Sequence, residues 1–289
     1  MEKFPLAFEL LQKSPEVAGR LDIISVNPCR KEILQLVHSR EYLDKIRHGR
    51  LEDAEKRRLG LPDGEALYFR SAREVEGTRM ACITAMEEGI SWNLAGGTHH
   101  AFPEHGEGFC VLNDVAVAVL WLRQCLPKLR VLVVDTDAHQ GNGTHAIFAR
   151  DNTVYCYSVH VGANYPSRKI PGDFEVPLPR FASDLQILQA LRETLPLALS
   201  RSNPDLVIWI SGADPHWNDR FGQMQMTVAG MLERDRYVSG EVLRGGIPLT
   251  VLYGGGYNRN VLHTAKLHRN SVLASIRSAR PLFQSKVIG

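Results

Sequence analysis

The stretch RVLVVDTDAHQGNGT, residues 130–144, decides the fold. Its first half is almost continuously apolar, as in a parallel strand covered on both faces. Its second half changes abruptly: Asp135, Asp137 and His139 fall at alternate positions, and a Gly/Asn loop follows. In an extended chain, residues two apart point to the same side. A buried strand ending in two carboxylates and an imidazole aimed at one point needs a compensating charge, most simply a cation. Mixed oxygen and nitrogen ligation suits zinc, and a catalytic zinc takes three protein ligands.

Three more runs share this pattern. TVYCYSVH (153–160), DLVIWISGAD (205–214) and PLTVLYGGGY (248–257) are apolar and end in polar or glycine-rich residues. Between the runs, residues 113–126, 183–202 and 226–243 have helical spacing. This alternation predicts an open parallel α/β sheet with helices on both faces. No linker, repeat or low-complexity segment divides the chain, so one domain is expected over residues 1–289. In such sheets the carboxyl ends of the strands form the ligand crevice. Asp214 follows LVIWI at one of these ends, where packing gives no reason for a charge. It is the natural third ligand beside Asp137 and His139.

Other segments add chemistry. LAGGTHHAF (94–102) carries His99 and His100, either of which can move a proton near neutral pH. LYGGGYN (252–258) carries Tyr257, whose phenol could donate to a developing oxyanion. Its glycines lack the lysine of a phosphate-binding loop. HGEGFCVLND (105–114) sets Phe109 beside Gly108, suiting a narrow apolar slot, and Tyr165 and Phe221 are further candidate walls. Each of these aromatics, taken alone, fits a core position equally well. QGN at 140–142 lacks the extra aspartates of a two-metal centre, so one catalytic metal is the better reading.

Bulk properties narrow the class. There are 34 Lys and Arg against 32 Asp and Glu, so no charge excess suits nucleic acid or an acidic membrane. No apolar run approaches the roughly 20 residues of a membrane helix, and the N-terminus does not read as a signal peptide. Five cysteines with no C-x-x-C pair read as reduced thiols in a cytoplasmic protein. Residues 44–74 are the most charged and are expected at the surface.

The ordered set GGTHHA, GFCVLND, DTDAHQGNGT, SGADP and GGGYN resembles the zinc-dependent histone deacetylase family, within the arginase/deacetylase superfamily. LVHSREYLDKI (36–46) resembles that family's early His-Ser-x-x-Tyr-Leu segment. The resemblance runs from about residue 4 to residue 265. It implies an eight-stranded parallel sheet and a zinc-dependent amidohydrolase acting on acyl-lysine. It further implies Asp137, His139 and Asp214 as zinc ligands, and His99 and His100 as the paired active-site histidines. Asp135 would support His99, Asn142 would orient His100, and Tyr257 would stabilise the oxyanion. Gly108, Phe109, Tyr165, Phe221 and Gly255 would contact substrate. A monovalent cation, K+ or Na+, would use Asp135, Asp137, His139, Ser158 and Val159.

Many members carry Asp where this chain has Asn142. An Asn still accepts a hydrogen bond but brings no charge, so His100 should have a lower pKa here than beside an Asp. Gln140-Gly141-Asn142 and NDRFG resemble the class IV branch, as does EKFPLAFELL. The chain starts inside that last segment, so the family's first strand is expected to be missing. Two alternatives stay open: a small-molecule, acetylpolyamine-like amidohydrolase, and a weakly active acyl-lysine binding protein.

Overall fold

The computed structural model describes residues 2–17 and 21–284. In chain order the elements are α1 (Lys3–Gln12), α2 (Lys31–Leu34), α3 (Arg40–Arg47), α4 (Asp53–Leu59), α5 (Glu65–Glu88) and β1 (Ile90–Asn93). Then come α6 (Asp114–Cys125), β2 (Val131–Asp135), α7 (Asn142–Phe148), β3 (Val154–Val161) and β4 (Phe174–Leu178). The last are α8 (Asp184–Ser202), β5 (Leu206–Ile210), α9 (Val228–Arg244), β6 (Leu249–Leu252) and α10 (Val261–Gln284).

The sheet has the order β1-β6-β5-β2-β3-β4, and every pairing is parallel. Among the described residues it has six strands, not the eight implied by the family resemblance. At the β1 side of the sheet, residues 22–30 run without regular secondary structure. The four strands read from sequence are present as β2, β3, β5 and β6. Two are shorter than expected: SGAD and YGGGY are loops, because the ladder ends where the apolar run ends.

Strand alternation divides the core. Leu132, Val134, Val207 and Trp209 face Leu188, Leu191, Leu195, Val238 and Val242 of α8 and α9. Val131, Val133, Leu206 and Ile208 face Cys82, Ala85, Val115, Val119 and Leu122 of α5 and α6. All five residues of β2 are buried, which explains its unbroken apolar run. The helices start at sequence-encoded caps. Asn113 caps α6, Ser183 and Gln186 form a capping box on α8, and Thr227 caps α9.

Residues 44–74 are not simply surface. Arg57 and Arg58 are exposed, but Leu59, Leu67, Tyr68 and Ala72 are buried in a third cluster. The HSREYL segment is structural: Ser39 caps α3, and the Tyr42 hydroxyl donates to the Val111 carbonyl at 2.8 Å. All five cysteines are free. Among the described residues no helix is long and apolar enough to cross a membrane.

The connections after β2 run to β3 and β4 on one side, and later to β5 and β6 on the other. The switch point therefore lies between β2 and β5. Ligand crevices form at such points, outside the carboxyl ends of the strands.

Candidate metal centre and active site

The loop after β2 holds Asp137 and His139, and the loop after β5 holds Asp214. The three are buried, and one ligand atom from each lies within 4.8 Å of the others. His139 Nδ1 is 3.0 Å from Asp137 Oδ1 and 2.9 Å from Asp214 Oδ2. The carboxylates are steered by backbone donors. Ala138 N–H donates to Asp214 Oδ1 at 3.0 Å, and Gly255 N–H donates to Asp137 Oδ2 at 2.8 Å. A Cβ on Gly255 would come within 2.4 Å of Asp137 Oδ2 and 2.6 Å of Asp214 Oδ2, so only glycine allows this approach.

The electrostatics demand positive charge here. Burial opposes a charge on His139, but Asp137 and Asp214 outweigh it and push its pKa well above the ordinary value. Burial, then the Asp137 charge, raises the Asp214 carboxyl to about 7. Asp214 Oδ2 is buried, and the His139 ring 2.9 Å away meets it in poor hydrogen-bond geometry. Two buried carboxylates converging on one imidazole, with an oxygen left without a well-formed hydrogen bond, fit a metal ion.

The paired histidines stand beside this set, their ring centroids 4.1 Å apart. His99 Nδ1 donates to Asp135 Oδ2 at 2.6 Å, and its Nε2 is 3.8 Å from Asp137 Oδ1. Burial works against charge on His99, yet Asp135 and Asp137 lift its pKa to about 9. His100 pairs through Nδ1 with Asn142 Oδ1 at 2.7 Å. Burial, then the neighbouring His99 and His139, pushes its pKa well below the ordinary value. One imidazole thus favours the charged form and the other the neutral form.

The GTHH loop is held by a residue that the sequence reading did not single out. Asp114 accepts from the backbone N–H groups of Gly97 at 2.9 Å and Thr98 at 2.8 Å, and from the hydroxyls of Thr78 and Thr98 at 2.5 Å. Its neighbour Asn113 donates to the Ala101 carbonyl and to Thr144 Oγ1, both at 3.1 Å. The ND of GFCVLND is therefore the clamp that fixes the histidine pair.

A cavity of about 700 Å³ leads to the metal set. Gly108, Phe109, Tyr165, Phe221, Gly255 and Tyr257 line it together with His99, His100, Asp137, His139 and Asp214. Phe109 has φ 67°, a conformation that a bulky residue adopts at a cost of about 1–2 kcal/mol. It is held there by bonds from the Gly108 and Phe109 N–H groups to the Arg58 and Leu59 carbonyls, at 3.1 and 2.8 Å. The result aims its ring into the cavity, 5.4 Å from Tyr257 and 6.3 Å from Phe221. Tyr165 stands edge-on to His100 at 4.9 Å. Gly108 has φ 54°, and a Cβ there would meet His100 at 2.8 Å.

Asp135 and Ser158 are side by side in the β2–β3 register, and Val159 follows on β3. The Val161 N–H donates to the Ala138 carbonyl at 3.0 Å, tying the ligand loop to that strand. The Ser158 hydroxyl is 3.0 Å from His160 Nδ1. Gln140 points away from the metal set: it donates to Glu175 and exchanges bonds with the Ile170 backbone.

Two further site residues escaped the sequence reading. Lys3 is buried and lines the cavity, and its Nζ donates to the Gly254 and Gly256 carbonyls, both at 3.2 Å. It also stands 4.9 Å from the Tyr257 ring centroid. Glu107 accepts from Asn142 Nδ2 at 2.9 Å. Lys3 lies in EKFPLAFELL and Glu107 in HGEGFCVLND, but other charged or polar residues share both segments, so nothing in the sequence marked either one.

Known proteins resemble this chain in sequence and in fold. The family model described as histone deacetylase domain matches residues 1–273. An uncharacterised protein of Picosynechococcus sp. is 40% identical over 250 residues, covering 86% of this chain and 82% of that protein. The acetoin utilization protein AcuC of Staphylococcus xylosus is 30% identical over 286 residues, covering 89% of this chain and 72% of that protein. The crystal structure of the HDA15 HD domain shares the fold, with a TM-score of 0.76 at 24% identity over 96% of this chain and 82% of that one. Motif order, cavity and sequence relationship lead to one conclusion: this chain belongs to the histone deacetylase family, and its chemistry is that of a deacetylase hydrolase.

Proposed function

We propose that this chain is a zinc-dependent amidohydrolase that removes acetyl or longer acyl groups from lysine side chains of proteins or peptides. The observation that carries this reading is the buried Asp137-His139-Asp214 set at the foot of a cavity walled by Phe109, Tyr165 and Phe221. A slender aliphatic amide with a flat head suits such walls, and its carbonyl would arrive between the ligand set and Tyr257. Zinc held by these three residues would act as a Lewis acid, polarising the carbonyl and acidifying water.

The remaining chemistry falls to side chains. His100, neutral and oriented by Asn142, accepts a proton from the attacking water and returns it to the leaving amine. His99, held by Asp135, keeps positive charge beside the developing anion. The Tyr257 hydroxyl donates to the carbonyl oxygen as charge collects there, an interaction worth roughly 2.7–4 kcal/mol. Asp135, Asp137, His139, Ser158 and Val159 are the residues to hold a structural K+ or Na+. Gln140-Gly141-Asn142 supports placement in the class IV branch.

The test is turnover, followed by mass spectrometry, of peptides carrying acetyl-, butyryl-, octanoyl- and myristoyl-lysine, with acetylpolyamines in parallel and a chelated control. Zinc-dependent release of free lysine from a peptide supports the reading, and the preferred chain reports cavity depth. Turnover confined to acetylpolyamines moves the assignment to a small-molecule enzyme. No turnover at all, with zinc bound, moves it to a binding role.

A further inference from the structure

Asn142 poses a problem that a carboxylate in its place would not. A carboxylate is acceptor-only, so it selects the imidazole tautomer with the proton on Nδ1. A carboxamide has an acceptor end and a donor end of nearly equal shape. With Oδ1 towards His100, the ring keeps its proton on Nδ1 and leaves Nε2 free to accept another. With Nδ2 towards His100, the ring carries its proton on Nε2 and loses that capacity.

The structure holds the first arrangement. Asn142 Oδ1 is 2.7 Å from His100 Nδ1, and Asn142 Nδ2 donates to Glu107 Oε1 at 2.9 Å. Glu107 stays ionised near neutrality. Burial opposes its charge, but hydrogen bonds from His105, Tyr165 and Asn142 draw its pKa down to about 2. Its second oxygen faces His105 Nε2 at 3.7 Å, and its backbone exchanges bonds with Cys110 at 3.0 and 2.9 Å. An anchored, acceptor-only group thus faces the donor end of the amide.

We propose that Glu107 is a positioning residue: its carboxylate locks the orientation of the Asn142 amide and thereby sets the His100 tautomer. In this chain a carboxylate–carboxamide pair does what a single carboxylate would do in direct contact with the imidazole. The effect on catalysis rests on the reading of His100 as proton acceptor; the tautomer itself does not.

The experiment uses the full zinc-loaded chain with 15N-labelled histidine. Long-range 1H–15N correlations report which ring nitrogen carries the proton, and His100→Gln identifies the His100 signals. The wild type is expected to show Nδ1–H. Glu107→Gln, which offers a donor as readily as an acceptor, is expected to populate Nε2–H and to lower kcat about tenfold with KM within about twofold. Asn142→Asp restores an acceptor-only partner, so adding Glu107→Gln to that variant is expected to be neutral or to improve kcat by relieving two facing carboxylates. An unchanged tautomer in Glu107→Gln, or the same loss in both backgrounds, overturns the proposal. A wild type that hydrolyses no amide overturns the proposed function instead, and the tautomer still decides the role of Glu107.

Discussion

His139 Nδ1 lies 2.9 Å from Asp214 Oδ2, across the switch point between the loops that follow β2 and β5. The contact joins two distant parts of the chain into one candidate ligand set. Its physical logic predicts the behaviour of the metal. Burial and Asp137 hold the Asp214 carboxyl at about 7 in the metal-free chain, and a metal ligand must be ionised. His139, whose pKa, despite burial, those carboxylates push well above the ordinary value, must lose its proton as well. Metal binding should therefore release a proton from His139 at neutral pH and a further one from Asp214 below about pH 7, and affinity should fall as pH drops. Calorimetry in buffers of different ionisation enthalpy counts the protons released; an affinity that does not change with pH rules out this ligand set.

Tyr257 sits in the cavity against Phe109 and Phe221, and burial pushes its phenol well above the ordinary pKa, so it remains a donor at neutral pH. Tyr257→Phe should lower kcat by about two orders of magnitude while leaving metal content at the wild-type level. Near wild-type turnover in that variant removes Tyr257 from the mechanism.

Lys3 satisfies the Gly254 and Gly256 carbonyls from a buried position. Lys3→Met should leave both acceptors short of a donor and destabilise the fold by about 1–3 kcal/mol. Because the loop between them carries Gly255 and leads to Tyr257, kcat should fall as well. Denaturant unfolding and steady-state kinetics check both; no change in either contradicts the anchoring role.

His38 is buried, with Nδ1 3.1 Å from the Phe102 carbonyl and Nε2 accepting from the Asn113 N–H at 2.9 Å. Burial lowers its pKa from 6.5 to about 4. The unfolded chain therefore binds the extra proton first, and stability should fall as pH drops from about 6.5 towards 4. The full effect is on the order of 3 kcal/mol. Unfolding curves at several pH values should be flatter over this window for His38→Gln than for the wild type; parallel curves exclude His38 as the sensor.

How far the sequence spoke depended on burial. β2 and β5 were legible because strands buried on both faces must be apolar throughout. The polar ends that followed them marked the crevice for the same reason. The 24-residue α5 was not legible. Its buried stripe includes Ser71, Ala72, Val75, Thr78, Ala81, Cys82 and Ala85, small residues that give little apolar contrast. β1 has four residues, and β4 is a half-exposed edge containing Pro177, so neither carries a strand signature. The supports of the site were hidden for a different reason. Lys3, Glu107 and Asp114 act through contacts between distant segments, which spacing along the chain does not encode.

The most direct measurement is zinc titration of the metal-stripped chain, reading bound metal and hydrolysis of an acetyl-lysine peptide in the same samples, with Asp214→Ala alongside. Activity should rise with bound zinc and saturate at one ion per chain, and Asp214→Ala should neither bind stoichiometric zinc nor turn over. Full hydrolysis by the stripped protein, or stoichiometric zinc in Asp214→Ala, would contradict that expectation.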